Sequence, residues 1–172
     1  MKKHLYAILA AAVLAGVQGC VQTDDITVES VTNDKVNLKG YKTYQFLDGS
    51  GVIEENKRGK VKEGDQKIAA LIEDVINEQL DKAGKAPSAD HPDFFVAYVG
   101  GTDPEAVTVK LDKKGKEVVQ NRPEAALLIL LVDADTGSIL RLATAEGELK
   151  KLPEAQQRKR IEYAVKKMLK DI

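Results

Sequence analysis

The chain lacks several residue types on which specialised sites depend. Its 172 residues include no tryptophan, one cysteine and two histidines. A single cysteine cannot form a disulfide within its own chain, and the usual Cys and His ligands of a structural zinc site are too few. Histidine is also the commonest general base, and after loss of an N-terminal leader only His91 would remain. We therefore predict no catalytic, cofactor-binding or metal-ligating residue.

The chain also lacks an excess of positive charge. The 26 basic and 27 acidic residues give a net charge of −1. Lys2 and Lys3 lie in an N-terminal segment that is predicted below to be removed, and without them the balance is 24 minus 27, or −3. Nucleic-acid binding depends on clustered positive charge, so we expect no nucleic-acid partner.

Only one long apolar run is present, and it lies at the N-terminus. Positive charge on residues 1–4 precedes an uncharged run at residues 5–17. Thirteen helical residues reach about 20 Å, whereas a bilayer core is roughly 30 Å thick. The segment is therefore typical of a signal peptide rather than of a transmembrane helix.

The only cysteine follows this run directly, in "LAGVQGC" at residues 14–20. A free thiol is one interpretation of Cys20. The position, however, resembles the bacterial lipoprotein box, in which a small residue, here Gly19, precedes a cysteine that is acylated; Gln18 departs from the preference for a small residue. We favour lipid attachment at Cys20, which would hold the protein at a membrane. Val21 is not aspartate, which by resemblance to a bacterial sorting rule indicates the outer membrane.

These features divide the chain into three parts. Residues 1–19 are predicted to be a lipoprotein signal peptide, and residues 20–37 a lipidated N-terminus, a tether and a candidate edge strand. Residues 38–172 are predicted to be a single α+β domain. The length left after cleavage is enough for one hydrophobic core and favours one domain over two.

Two amphipathic helices are predicted. In "DQKIAALIEDVINEQLDKAG", apolar residues recur at steps of three and four, with Asp65 as N-cap and Gly84 as a left-handed C-terminal residue. The second helix begins at Pro153 and ends near residue 172. Its basic face is typical of a solvated surface that complements the helix dipole, with a membrane-surface role as the alternative.

Alternating apolar residues predict strands around these helices. "YKTYQF" and "DFFVAYVGG" are predicted strands, and two hairpins are predicted at 106–119 and 124–149. The apolar run at 125–132 indicates a central strand that is covered on both faces, or on one face and by a partner. Short turns favour antiparallel pairing, so the predicted fold class is α+β, a mainly antiparallel sheet with two amphipathic helices packed on one face.

Three motifs could suggest chemistry, and each has a simpler explanation. The charged segment 54–64 is interpreted as a solvated loop rather than an anionic-ligand site. Ser88, His91 and Asp93 lie within six residues of one another, whereas triad members usually come from separate elements. "DADTG" at 133–137 lacks the later glutamate of a calcium loop and is better explained as a turn.

Four stretches in order resemble one family. "YKTYQF", the first helix, "PDFFVAYV" and "ALLILLVDADTGSILR", completed by the charged last helix, resemble bacterial envelope lipoproteins of the domain of unknown function 4136 family. The resemblance implies a two-layer α+β domain and no established catalytic residue. Members often have tryptophan at the position of Phe46 and after the second hairpin turn, and this chain has none.

Together these observations predict a membrane-anchored envelope lipoprotein with a non-enzymatic binding or accessory domain facing the periplasm. Its expected partners are the membrane, through the lipid on Cys20, and an envelope protein. The alternatives are an envelope hydrolase that uses carboxylates not identifiable from the sequence, and a subunit of a transport or assembly complex.

Overall fold

A computed structural model describes residues 21–55, 61–63, 65–103, 107–111, 117–121 and 124–172. It contains ten strands and two α-helices within these ranges. In chain order they are β1 Thr27–Thr32, β2 Thr43–Phe46, β3 Gly51–Glu55, β4 Val61–Glu63, α1 Gln66–Lys82, β5 Ala86–Pro87, β6 Phe94–Asp103, β7 Val107–Leu111, β8 Glu117–Asn121, β9 Glu124–Asp133, β10 Ile139–Glu148 and α2 Glu154–Met168.

The main sheet is mixed. One half runs β1-β10-β9-β6 and is antiparallel throughout, with β1 at the edge. In the other half, β6 pairs in parallel with both β2 and β3, and β2 pairs in parallel with β5. The predicted α+β class is confirmed, and the parallel pairs are the difference. They arise because α1 connects β4 to the later strands, and a helical crossover returns the chain in the same direction.

Both helices pack on one face of this sheet, as predicted. Tyr98 on β6 donates its hydroxyl to the carbonyl of Ala69 in α1 at 3.1 Å. Arg141 on β10 donates from Nε to the carbonyl of Met168 at the end of α2, at 2.6 Å. The core lies between these layers and includes Val75, Ile76 and Leu80 from α1, Val165 and Met168 from α2, and Phe94, Val96, Ile129 and Leu131 from the sheet.

Both ends of α1 and the start of α2 follow the prediction, whereas α2 ends at Met168, before the predicted end near residue 172. The Asp65 side chain accepts the N–H of Lys67 at 2.8 Å, and Gly84 has φ +74° just after α1. Pro153 is the residue immediately before α2. These local signals are short-range, which is why the sequence alone was enough to place them.

Segment 54–64 differs from the loop that was predicted. Strand β3 pairs with β4, with Ile53 opposite Glu63 and Glu55 opposite Val61. Charged residues are compatible with a strand at the edge of a sheet, where they discourage pairing with other chains. The charge pattern alone therefore did not distinguish this pair of strands from a loop. Residues 56–60 and 64 lie outside the described residues.

The two predicted hairpins are present. β7 pairs with β8 in a separate two-stranded sheet, with Val109 opposite Val119; the turn at 112–116 lies outside the described residues. β9 pairs with β10 through nine residue pairs. A bulge shifts the register between Ile139 and Arg141, so that the adjacent residues Leu140 and Arg141 are both buried.

Candidate functional site

The predicted lipid-attachment residue, Cys20, lies outside the described residues, together with the predicted signal peptide. Lipid attachment therefore stays a prediction. In the described part of the chain, neither helix is long and apolar enough to cross a membrane.

The chain that follows Cys20 is bound tightly to the domain. Asp25 accepts hydrogen bonds from Arg160 of α2 at 2.9 and 2.6 Å, one to each carboxylate oxygen. It also accepts from Lys150 at 3.1 Å and from the backbone N–H of Glu148 at 3.0 Å. Arg160 donates in addition to the carbonyl of Gln22. We call these five residues the N-terminal clasp.

The ion pair at the centre of the clasp is shielded from solvent. The side chains of Asp25 and Arg160 are only 7% and 11% exposed. The hydrogen bond from Arg160 holds the pKa of the Asp25 carboxyl far below its usual range, although burial acts in the opposite direction. Asp25 in turn raises the pKa of Arg160. The pair is thus ionised, and its two members are 135 positions apart in the chain, so that no local pattern could have identified them.

An acidic cleft lies where β2, β6 and β9 come together. Its volume is about 540 Å³, and it is open to solvent. Six ionisable side chains line it: Tyr41, Asp90, His91, Asp93, Asp133 and Asp135. The cleft brings the two loop motifs of the sequence, around His91 and around Asp133, to one place.

Two of these carboxylates hold the backbone and neighbouring side chains. Asp93 accepts the N–H groups of Lys42 and Thr43 at 2.6 and 2.8 Å. Asp133 accepts the hydroxyl of Tyr41 at 2.5 Å and the N–H of Thr136 at 2.7 Å. Backbone hydrogen bonds lower the pKa of Asp93, and the Tyr41 hydroxyl lowers that of Asp133. Both groups are therefore ionised acceptors with structural partners, and poor proton donors.

The same contacts explain the motifs considered in the sequence. In "DADTG", Asp133 binds the backbone of its own turn and Gly137 has φ +69°, as expected of a hairpin turn. Asp93 ties β2 to the start of β6, which accounts for its place beside His91. Among the described residues, no group of three or more His, Cys, Asp or Glu is arranged to hold a metal ion.

The sheet face opposite the helices carries an apolar row that crosses four strands. We call this face the open face. The register places Ala97, Leu130, Leu142 and Val31 in that row, across β6, β9, β10 and β1. In the next row Val99 and Leu128 are apolar, and Thr144 and Glu29 are polar. Val31 is 71%, Val99 40% and Leu142 37% exposed. Other apolar members are Phe95, Val132 and Ile139.

The open face follows from the composition of β9. Alternate residues Leu127, Ile129 and Leu131 are buried under the helices, and the residues between them, Leu128 and Leu130, face the other side and are half-buried. A sheet with one solvated face usually alternates apolar and polar residues, and this strand does not. Of the two arrangements predicted for it, the helices supply cover on one face only.

Comparisons agree with this fold. A family model described as a domain of unknown function, DUF4136, matches residues 28–172. A DUF4136 family protein from Bacteroides thetaiotaomicron is 9% identical with a TM-score of 0.54, over 84% of this chain and 96% of that one. The PelC dodecamer from Paraburkholderia phytofirmans is 11% identical with a TM-score of 0.51, over 85% and 96%.

A third similar structure is a much longer protein. The PDZ domain protein from Parabacteroides distasonis is 14% identical with a TM-score of 0.54, and the match covers 86% of this chain but only 37% of that one. At these identities the likeness concerns the fold. No curated protein matches the chain.

Proposed function

The chain belongs to the DUF4136 family, and from that premise we propose that it is a lipid-anchored envelope protein whose domain is a non-enzymatic binding or accessory module facing the periplasm. Support for the anchor comes from the short apolar leader and the cysteine that ends it, "LAGVQGC". Val21 supports the outer membrane as its location.

The open face is the observation that carries the binding function. It exposes Val31, Val99 and Leu142 together, whereas apolar residues on monomer surfaces are usually scattered singly. Contiguous apolar surface of this kind is typical of protein-binding sites. The proposed ligand of the face is therefore another envelope protein.

Two of the four carboxylates in the acidic cleft favour a binding module over the alternative hydrolase. An acid–base pair of carboxylates needs one member with a raised pKa. Asp93 and Asp133 both have lowered pKa values, and each is committed to hydrogen bonds that hold the fold.

A second candidate function is that of a subunit in a transport or assembly complex. The open face favours it, because the same surface could pack against another copy of the chain. The structurally similar PelC protein is a dodecamer, so at least one protein with this fold forms an oligomer.

The anchor is tested by replacing its attachment residue. Cys20→Ser should abolish labelling with radioactive fatty acid and move the protein from the membrane fraction to the soluble fraction. A variant that keeps both its label and its membrane location would refute the anchor.

The binding surface is tested by placing a photo-crosslinking amino acid at Val99 in cells. We expect a discrete adduct from Val99 and none from Ala70, a matched exposed position on α1. Adding Leu142→Glu should remove the adduct, since a charge on the open face opposes burial. Twice the mass of the chain would indicate a second copy, and any other mass an envelope partner. Equal crosslinking from both positions would contradict the proposal.

A further inference from the structure

The N-terminal clasp fixes the point at which the chain enters the domain. Arg160 binds the carbonyl of Gln22, only two residues after Cys20. Two residues span at most about 7 Å. The Cα atom of a lipidated Cys20 would therefore be within about that distance of the Cα atom of Gln22, which limits how far the domain can move from its lipid.

The clasp also lies at one end of the sheet. Thr27 pairs with Glu146, which pairs with Ala126, which pairs with Gly101, so these four residues mark one end of four strands. Asp133 is at the opposite end of β9. Ala126 and Asp133 are seven residues apart on β9, so the acidic cleft lies about 23 Å from the clasped end.

We propose that the N-terminal clasp seats the domain on the lipid bilayer by this end, with the acidic cleft facing away from the membrane. The inference rests on the proposed lipid attachment at Cys20 and deepens it, because it specifies an orientation in addition to an anchor. The surface that meets the lipid is formed by residues 22–27 and 146–150. The strands then run away from the membrane, and the open face is perpendicular to the bilayer and accessible to other proteins beside the domain.

Opening the clasp should abolish this orientation. Without it, the first residue held by the sheet is Thr27, and the seven residues from Cys20 span at most about 24 Å. The allowed reach thus increases more than threefold, which is enough for the domain to turn over against the membrane.

The experiment measures energy transfer from a fluorophore on the lipidated full chain to acceptor lipids in phosphatidylcholine vesicles, whose surface has no net charge and does not repel the acidic residues of the clasped end. Donors are attached at Glu146→Cys, near the clasp, and separately at Asp135→Cys, at the cleft. The acylated Cys20 leaves the introduced cysteine as the only free thiol. We expect transfer from position 146 to be severalfold stronger than from position 135.

Arg160→Gln should bring the two transfer efficiencies close together, because it removes the contacts with both Gln22 and Asp25. Asp25→Ala leaves Arg160 free to bind the Gln22 carbonyl and should reduce the difference only in part. Arg158→Gln is the matched control, because Arg158 lies on the same helix and binds Asp74, Glu78 and Glu162 instead. It should keep the full difference between the two donor positions.

The outcomes separate the two proposals. Equal transfer from both positions in the otherwise unaltered chain, with vesicles still bound, would overturn the orientation and leave the anchor intact. Failure of the chain to float with vesicles and to carry an acyl label would overturn both. A persistent full difference in Arg160→Gln would show that the clasp is not what orients the domain.

Discussion

Replacing Arg160 by glutamine should destabilise the domain more than any other single loss of a surface cation on α2. The substitution removes two hydrogen bonds to Asp25 and the bond to the Gln22 carbonyl. It leaves a carboxylate that is 7% exposed with fewer partners. Loss of one member of a buried ion pair typically costs about 3–5 kcal/mol.

The expected cost here is smaller, because Asp25 keeps Lys150 at 3.1 Å and the Glu148 N–H at 3.0 Å. With those partners retained, we expect a loss of about 2–3 kcal/mol in the free energy of unfolding. The assay is urea denaturation of the mature chain carrying Cys20→Ser, with the dependence on urea unchanged and the midpoint lowered.

Arg158→Gln provides the comparison on the same helix. Arg158 is 32% exposed, and its acidic partners are more exposed than that, so solvent already screens the pairs. Its loss should cost clearly less than that of Arg160. An Arg158 variant as unstable as the Arg160 variant would refute the view that burial, rather than the number of ion pairs, gives the clasp its strength.

Three further predictions concern stability. Folding lowers the pKa of Asp25, so this carboxylate stabilises the domain above its ordinary pKa of about 4, and the stabilisation is lost as the pH falls below that value. Asp25→Asn should therefore make the free energy of unfolding less dependent on pH, which urea midpoints measured from pH 3 to 6 would show. Leu131→Ala should cost about 3–4 kcal/mol and Leu130→Ala clearly less, because only Leu131 is fully buried; equal losses in urea denaturation would contradict the one-sided core. Gly84→Ala should cost about 1 kcal/mol from its φ of +74°, and an unchanged melting temperature would refute this.

What could be predicted from the sequence was local in origin. The apolar stripe of α1, its Asp65 cap and the Gly84 terminus depend on residues within one or two turns, and all three are present. The hairpins at β7–β8 and β9–β10 likewise depend on short connections. The family and the α+β class followed from the order of these elements.

What could not be predicted depends on residues that are far apart. The parallel pairing of β2 and β3 with β6 is set by where the crossover docks, which periodicity does not encode. The contact between Asp25 and Arg160 joins residues near opposite ends of the chain. The open face could be predicted in part, because the residues around Leu128 and Leu130 form a strand that is apolar on both faces. Which of the two faces the helices cover could be seen only in the structure.

The pairing of β1 with β10 has a consequence for the order in which the domain can form. Val28 pairs with Ala145 and Val31 with Leu142, so the first strand made must wait for nearly the whole chain before it finds its neighbour. Such distant contacts are slow to form, because a long loop must close first. During synthesis the edge strand β1 therefore stays unpaired in the main sheet until β10 has been made. Completion of that sheet is thus a late event in the formation of the domain.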